Sequence, residues 1–194
     1  MKLALIRHGP TEWNAQARVQ GSVDMPLSAE GRERMERLLP PSGFETAAAW
    51  SSPKLRAQQT AFCLGLSPKL DARLAEQNWG EWEGLTRAEM LARDGGDAFV
   101  RAGRGLAFRP PGGESTGELH ARVREFFAAV ARLGDDAIAV SHMGVLRAGY
   151  IMATGWEMSA PMPEELDLKA ALIVELARDG TPSMAQLNAP LRER

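Results

Sequence analysis

Two histidines and two arginines stand at points of the chain where side chains do chemistry. Arg7 and His8 follow the short apolar run Leu3 to Ile6 and precede Gly9. A guanidinium binds an oxyanion through its planar fork, and a neutral imidazole serves as base, nucleophile or ligand. The pattern recurs late in the chain, where the apolar run Ala137 to Val140 ends in Ser141-His142-Met143-Gly144. Arg56 lies in the sequence Ser51-Ser52-Pro53-Lys54-Leu55-Arg56, just after a third apolar run at Ala47 to Trp50. Glu76, Glu81 and Glu83 share the segment Ala75 to Gly84 with two tryptophans and two glycines. Taken singly, each of these residues reads as surface or packing. Arg56 alone is an ordinary helix arginine, and His120 is an ordinary surface or half-buried histidine.

The elements that must position them follow from pattern. Leu3 to Ile6 is long enough for a buried strand and too short for a helix. In an open α/β sheet, ligands bind beyond the carboxyl ends of the strands, which is where His8, His142 and Arg56 fall. Ser28 is a natural helix cap, opening a helix that should run to about Leu39 and stop at Pro40-Pro41. Ser52 and Pro53 read as the cap and first position of the helix that carries Arg56. Leu70 to Leu74 reads as a short strand and Ala75 to Gly84 as a structured loop over a pocket. Thr86 to Arg93 is a short helix, and the stretch Arg101 to Gly105 is basic. The strongest helical pattern, Thr116 to Leu133, places Leu119, Val123, Phe126, Phe127, Val130 and Leu133 on one face. A helix from Val145 to Thr154 follows, then strands at Ala170 to Leu176 and Ser183 to Leu187 joined at Asp179-Gly180. Strands alternating with helices predict a single α/β domain over residues 1–194, a three-layer α/β/α sandwich with a mainly parallel central sheet.

Composition narrows the function. With 194 residues and a net charge of −2, the chain has no basic footprint for nucleic acid. The single cysteine, Cys63, lies in an apolar segment and reads as a buried structural thiol. No apolar run approaches a membrane span and no leader pattern is visible, so the expected location is cytoplasmic. The oligomeric state is left open, a homodimer included.

Three chemistries compete for the polar set. A metal site needs ligands at short spacing, and three dispersed histidines do not supply them. A nucleotide fold needs Gly-x-Gly-x-x-Gly or a Gly-Lys-Ser/Thr loop, and neither is present. Transfer of a phosphoryl group to histidine needs cations around the phosphate, an imidazole nucleophile and an acid for the departing alkoxide. Arginine, histidine and glutamate are the types for those three tasks.

The ordered set is specific. Arg7-His8-Gly9 is followed by Asn14, Gly21, Asp24, Leu27 and Gly31, then by Ser51-Ser52-Pro53-x-x-Arg56-Ala57. Leu74-x-Glu76 runs into Gly80-x-Trp82-Glu83-Gly84, and Gly113-Glu114-Ser115 and Ser141-His142 complete it. In this order the chain resembles the histidine phosphatase superfamily, the phosphoglycerate mutase-like group, from residue 7 to about residue 147. The resemblance implies that His8 becomes phosphohistidine, that Arg7, Arg56 and His142 bind the phosphate, and that Glu76 protonates the leaving oxygen and then activates water. Asn14, Gln20 and Gly21 would line the substrate site. The implied substrate is a small phosphorylated metabolite, with no metal and no cofactor.

Mutases of the family resemble longer chains, with an insertion closing over the substrate after the segment matching Glu83-Gly84. The stretch from Leu85 to Glu114 is short here, which implies hydrolysis rather than return of the phosphoryl group. The alternatives are mutase-type transfer, a protein or phosphohistidine phosphatase, and a silent regulatory protein on the same fold. Pro110 to Ser115 and Ser141 to Arg147 resemble the α-ribazole and broad-specificity phosphatase branch most. Pro10 and Asn78-Trp79 depart from the family pattern, which bears on substrate identity. Trp79, Trp82, Phe108 and Arg109 have two readings, pocket mouth or core.

Overall fold

A computed structural model describes residues 1–94, 105–158 and 162–194. Its centre is a six-stranded sheet in the order β4-β3-β5-β1-β6-β7. The strands are β1 (Lys2–Arg7), β3 (Ala48–Ser51), β4 (Lys69–Leu70), β5 (Ala137–Ser141), β6 (Ala171–Leu176) and β7 (Pro182–Ala189). The pairs β1–β5, β5–β3 and β3–β4 are parallel, while β6 runs antiparallel to both β1 and β7. The outer strand β2 (Leu38–Leu39) pairs with β8 (Arg192–Glu193) in a separate two-stranded ribbon.

The helices are α1 (Glu12–Ala15), α2 (Ala29–Glu36), α3 (Leu55–Cys63), α4 (Arg87–Asp94), α5 (Thr116–Ala131) and α6 (Met143–Thr154). Strand periodicity distributes β1 between two cores. Leu3 and Leu5 pack with Leu119, Val123, Phe126 and Phe127 of α5 and with Leu146 of α6. Ala4 and Ile6 pack on the other face with Met35 of α2 and Ala57 and Ala61 of α3. Both faces are therefore covered, and the three-layer α/β/α architecture expected from the sequence is the one found. Fully burying each of Leu3, Leu5 and Ile6 stabilises the fold by about 1.5–3 kcal/mol.

Register does the positioning. Arg7 lies opposite Ser141, and Ser51 opposite Val140, so β1, β3 and β5 end level with one another. The ladder continues one step further: the His8 amide donates to Ser141 O at 2.9 Å and the Ser52 amide to Val140 O at 2.9 Å. His8, Ser52 and His142 thus leave the sheet at one edge.

Several local expectations need correction. The helix opened by Ser28 ends at Glu36 rather than Leu39, because Leu38 and Leu39 find strand partners near the end of the chain. Helix α3 starts at Leu55, not Pro53. Its first amide is capped from a distance by Asp24 Oδ1 at 2.7 Å, and the Ser52 hydroxyl is engaged elsewhere. Of the expected Leu70 to Leu74 strand only Leu70 is extended, in the two-residue strand Lys69–Leu70. Asp71 accepts from the Arg73 amide and turns Ala72–Leu74 into a 3-10 turn. Helix α5 ends at Ala131, leaving Leu133 exposed past the end of the apolar face. His120 is buried, 4% exposed, rather than at the surface. Helix α6 starts two residues earlier than expected, with His142 as its N-cap. Cys63 is buried, and burial raises its thiol pKa. Residues 101–104 of the basic stretch lie outside the described residues, as does part of the Leu85 to Glu114 segment.

Candidate active site

His8 sits where β1 ends, 7% exposed. Its Nδ1 lies 2.7 Å from Gly9 O. A carbonyl only accepts, so Nδ1 carries the proton and Nε2 keeps its lone pair. Burial, then the neighbouring Arg7 and Arg56 cations, push the imidazole pKa down to about 3, against the weaker opposing effect of the Gly9 hydrogen bond. The ring is therefore neutral at physiological pH, with a free nitrogen. Gly9 is needed for close approach: a Cβ there would fall 2.6 Å from Met35 Cγ. The Gly9 amide donates to Thr60 Oγ1 at 2.9 Å, and that hydroxyl donates to Arg56 O at 2.7 Å, which ties the turn after β1 to α3.

Arg56 is fully buried. Its Nη1 and Nη2 donate to Val23 O and Gly21 O at 2.7 and 2.9 Å. The loop after α1 thus fixes the guanidinium with main-chain carbonyls and leaves Nε for a ligand. Gly21 has φ +50°, and a Cβ there would collide with the Glu83 carboxylate. Gly21 acts here through its carbonyl, and the buried Gln20 forms the adjoining wall.

His142 is fully buried. Its ring centroid is 5.2 Å from that of His8, at an interplanar angle of 58°. Its Nε2 lies 2.7 Å from Ser52 Oγ. Burial, followed by His8 and the Arg56, Arg122 and Arg7 cations, holds its pKa well below the ordinary histidine range. Arg7 Nε, Arg56 Nε and His142 Nδ1 are buried nitrogens with no hydrogen-bond partner among the described residues. Buried polar nitrogens are ordinarily satisfied, so unpartnered ones around a neutral imidazole, two of them on guanidinium groups, mark the seat of an oxygen-rich ligand. Asn14 adds to it. Its Oδ1 accepts from the amide and hydroxyl of Thr11, both at 3.0 Å, which directs Nδ2 away from Thr11.

The three glutamates separate by geometry. Glu81 is ion-paired with Arg93. Glu83 accepts from the Ser22 amide and hydroxyl at 2.6 and 2.9 Å and from the Trp79 amide at 3.1 Å, clamping two loops together. Glu76 alone of the three lines the cavity with His8 and Arg56. Burial raises its pKa, opposed by the Gln77 and Gly144 amides and by Arg56 and Arg7.

Two openings meet at Arg7, His8 and Asn14. The smaller, about 290 Å³, also holds Arg56, Glu76, Gln20 and Gly21 and is walled by Val19, Trp79, Arg87, Met90 and Met143. The larger, about 720 Å³, runs between α2 and residues 165–170 and lacks Glu76. A leaving group that takes its proton from Glu76 belongs in the smaller one. Of the four mouth candidates only Trp79 lines it. Trp82 and Phe108 are buried behind it, with ring centroids 5.8–6.2 Å apart in the Trp79, Trp82, Phe108 triad. Arg109 is turned to Glu118 at 2.6 Å.

Thr60, Arg87, Gly144 and Ser52 were given no site role from the sequence. Thr60 stands one helical turn after Arg56. Gly144 lay within the repeated histidine–glycine pattern. Among the described residues no group of three or more His, Cys, Asp or Glu side chains could hold a metal ion, and no helix is long and apolar enough to cross a membrane.

Comparison with known proteins places the chain in a family. The family model "Histidine phosphatase superfamily (branch 1)" matches residues 3–190. A 2,3-bisphosphoglycerate-dependent phosphoglycerate mutase of Methylobacterium radiotolerans is 34% identical, over 96% of this chain and 90% of the relative. A protein of the same name from Xanthobacter autotrophicus is 29% identical, over 92% and 93%. Since this chain covers nine-tenths or more of each, overall length does not separate it from relatives bearing the mutase name. The crystal structure of a Thermus thermophilus phosphoglycerate mutase superposes with TM-score 0.72 at 33% identity, over 97% of this chain and 99% of that one. A mycobacterial glucosyl-3-phosphoglycerate phosphatase in complex with VO3 superposes with TM-score 0.77 at 26% identity, over 97% and 98%. With the family model matched along almost the whole chain and a relative at 34% identity, the chain belongs to the histidine phosphatase superfamily, branch 1.

Proposed function

We propose that this protein is a phosphomonoesterase that works through a phosphohistidine on His8. The observation that carries the reading is the pairing of a neutral His8 having a free Nε2 with the unpartnered Arg7 Nε, Arg56 Nε and His142 Nδ1. The monoester dianion enters with its non-bridging oxygens among these nitrogens and Asn14 Nδ2. The Nε2 lone pair attacks phosphorus, the P–Nε2 bond forms, and the bond to the ester oxygen breaks as Glu76 gives that oxygen its proton. In the second step the Glu76 carboxylate takes a proton from water. The water oxygen bonds to phosphorus, the P–Nε2 bond breaks, and inorganic phosphate departs. Neither step calls for a metal or a cofactor.

The cavity supports a small metabolite as substrate. Its wall combines Trp79 and Met90 with Arg87, whose guanidinium has no partner among the described residues and suits a second anionic group. Hydrolysis is favoured over transfer by the likeness to a phosphatase structure, while chain length bears on neither reading. The second reading, mutase-type transfer to a phosphoglycerate, draws on Arg87 and on the names of the relatives.

The deciding assay compares wild type with His8→Ala on p-nitrophenyl phosphate, and on 3-phosphoglycerate with 2,3-bisphosphoglycerate, in EDTA. Phosphate release that survives EDTA and vanishes in the variant is the expected result. Isomerisation without release would make the protein a mutase. Silence on both and on a panel of phosphometabolites would overturn the catalytic reading.

A further inference from the structure

The hydroxyl of Ser52 settles a question that the family of donors leaves open, namely which nitrogen of His142 carries the proton. Ser52 is fully buried. Its Oγ accepts from the Lys54 amide at 3.2 Å and lies 2.7 Å from His142 Nε2. A hydroxyl has one proton to give. Among the described residues the only acceptor within reach of it is Nε2. If Nε2 carried the proton instead, two buried groups would be orphaned, the Ser52 O–H and the bare Nδ1. With the proton on Nδ1, the Ser52 O–H donates to Nε2 and one group alone remains open, an Nδ1–H. Leaving a buried polar group unpaired is costly, so the second arrangement wins.

We propose that Ser52 is a positioning residue that fixes His142 as the Nδ1–H tautomer, making that nitrogen a donor for an anionic oxygen. The backbone secures it at both ends: the Ser52 amide is bound to Val140 O in the β5 ladder, and the Lys54 amide orients the hydroxyl. The tautomer follows from hydrogen-bond accounting in the empty protein. Its use in binding a phosphoryl group rests on the proposed function.

The test is a long-range ¹H–¹⁵N correlation spectrum of the uniformly ¹⁵N-labelled protein at neutral pH, with His142→Gln identifying the ring by loss of its signals. The expected pattern for His142 is a protonated Nδ1 and a bare Nε2, turning to the opposite tautomer or a mixture in Ser52→Ala while His8 stays unchanged. A protonated Nε2 in wild type overturns the proposal, and this outcome needs no variant to fold. An Nδ1–H that persists unchanged in Ser52→Ala overturns it too. Inorganic phosphate binding by Ser52→Ala, measured by titration calorimetry, should weaken by about tenfold to a hundredfold, the range for one hydrogen bond to a charged group, with recovery in Ser52→Thr. Unchanged phosphate binding would remove the donor role. A wild type that hydrolyses no ester but shows the expected tautomer would defeat the catalytic reading and leave the Ser52 assignment standing.

Discussion

The Gly144 amide donates to Glu76 Oε1 at 3.2 Å, and any Cβ on residue 144 would occupy the space of that oxygen. The first turn of α6 and the Glu76 carboxylate from the loop after β4 are thus fitted to one another, and the glycine is what permits it. Gly144→Ala should displace the Glu76 carboxylate while leaving His8 in place. The expected loss is about 10²-fold or more in kcat on alkyl phosphates, the scale of general acid catalysis, with a smaller loss on aryl phosphates. Equal losses on both would mean that the damage reaches the nucleophile.

Glu76→Gln tests the acid directly. Turnover of an alkyl monoester should fall by about 10²–10⁴-fold, and that of an ester with a good leaving group far less in its first step. Because burial raises the Glu76 pKa, the protonated acid persists above the ordinary carboxylate range. Wild-type kcat/KM on alkyl esters should therefore decline toward alkaline pH, and that limb should disappear in the variant.

Arg122 is the less visible partner of Glu76. Its Nη1 donates to Arg73 O and Ala75 O, both at 2.7 Å, its Nη2 to Glu76 O at 3.2 Å, and it pairs with Glu114 through Nε at 2.7 Å and Nη2 at 2.9 Å. Glu114 in turn takes the Asn78 amide, and its carbonyl takes the Gln77 side chain. Helix α5 thereby grips the backbone of the acid loop. Arg122→Lys keeps the charge and loses the fork. It should cost about 2 kcal/mol of stability, discounted from a fully buried pair because both partners are about one-fifth exposed. The alkyl-to-aryl rate ratio should fall with it; an unchanged ratio would reduce Arg122 to a stability role.

The folded chain holds His8 down at a pKa of about 3 and His120 at about 4, both chiefly by burial. The unfolded chain protonates these rings near 6.5. Stability present above pH 6.5 should therefore be lost as pH falls toward 4 and 3, since the unfolded state binds protons that the folded state refuses. Melting temperatures from pH 7 to 4.5 should fall, and His120→Gln should flatten the fall without altering turnover. An unaltered slope would assign the acid sensitivity elsewhere.

Much of the fold was legible because it rests on short-range pattern. The strand at Leu3 to Ile6, the α5 stripe and the duplicated strand–histidine–glycine arrangement are local signals, and the elements carrying His8, Arg56 and His142 followed from them. What the sequence hid depends on distant partners. Leu38 and Leu39 look helical until the last residues of the chain pair with them. Ser52 looks like a helix cap until His142, ninety positions away, takes its hydroxyl. Glu76, Glu81 and Glu83 are equivalent in composition and differ only in what surrounds them: Gly144, Arg93 and Ser22.

The strand order has a consequence for synthesis. β1 lies between β5 and β6, so its neighbours are not made until residues 137–141 and 171–176 leave the ribosome. Until then the nascent chain carries an apolar strand with no partner, and pairings of such long sequence separation form slowly. His8 is synthesised before either neighbour of its strand, and its ladder bond to Ser141 O forms only once β5 exists. A chain truncated anywhere before β5 lacks the parallel partner of β1, and with it the ladder bond that seats His8, whatever helices it has already formed.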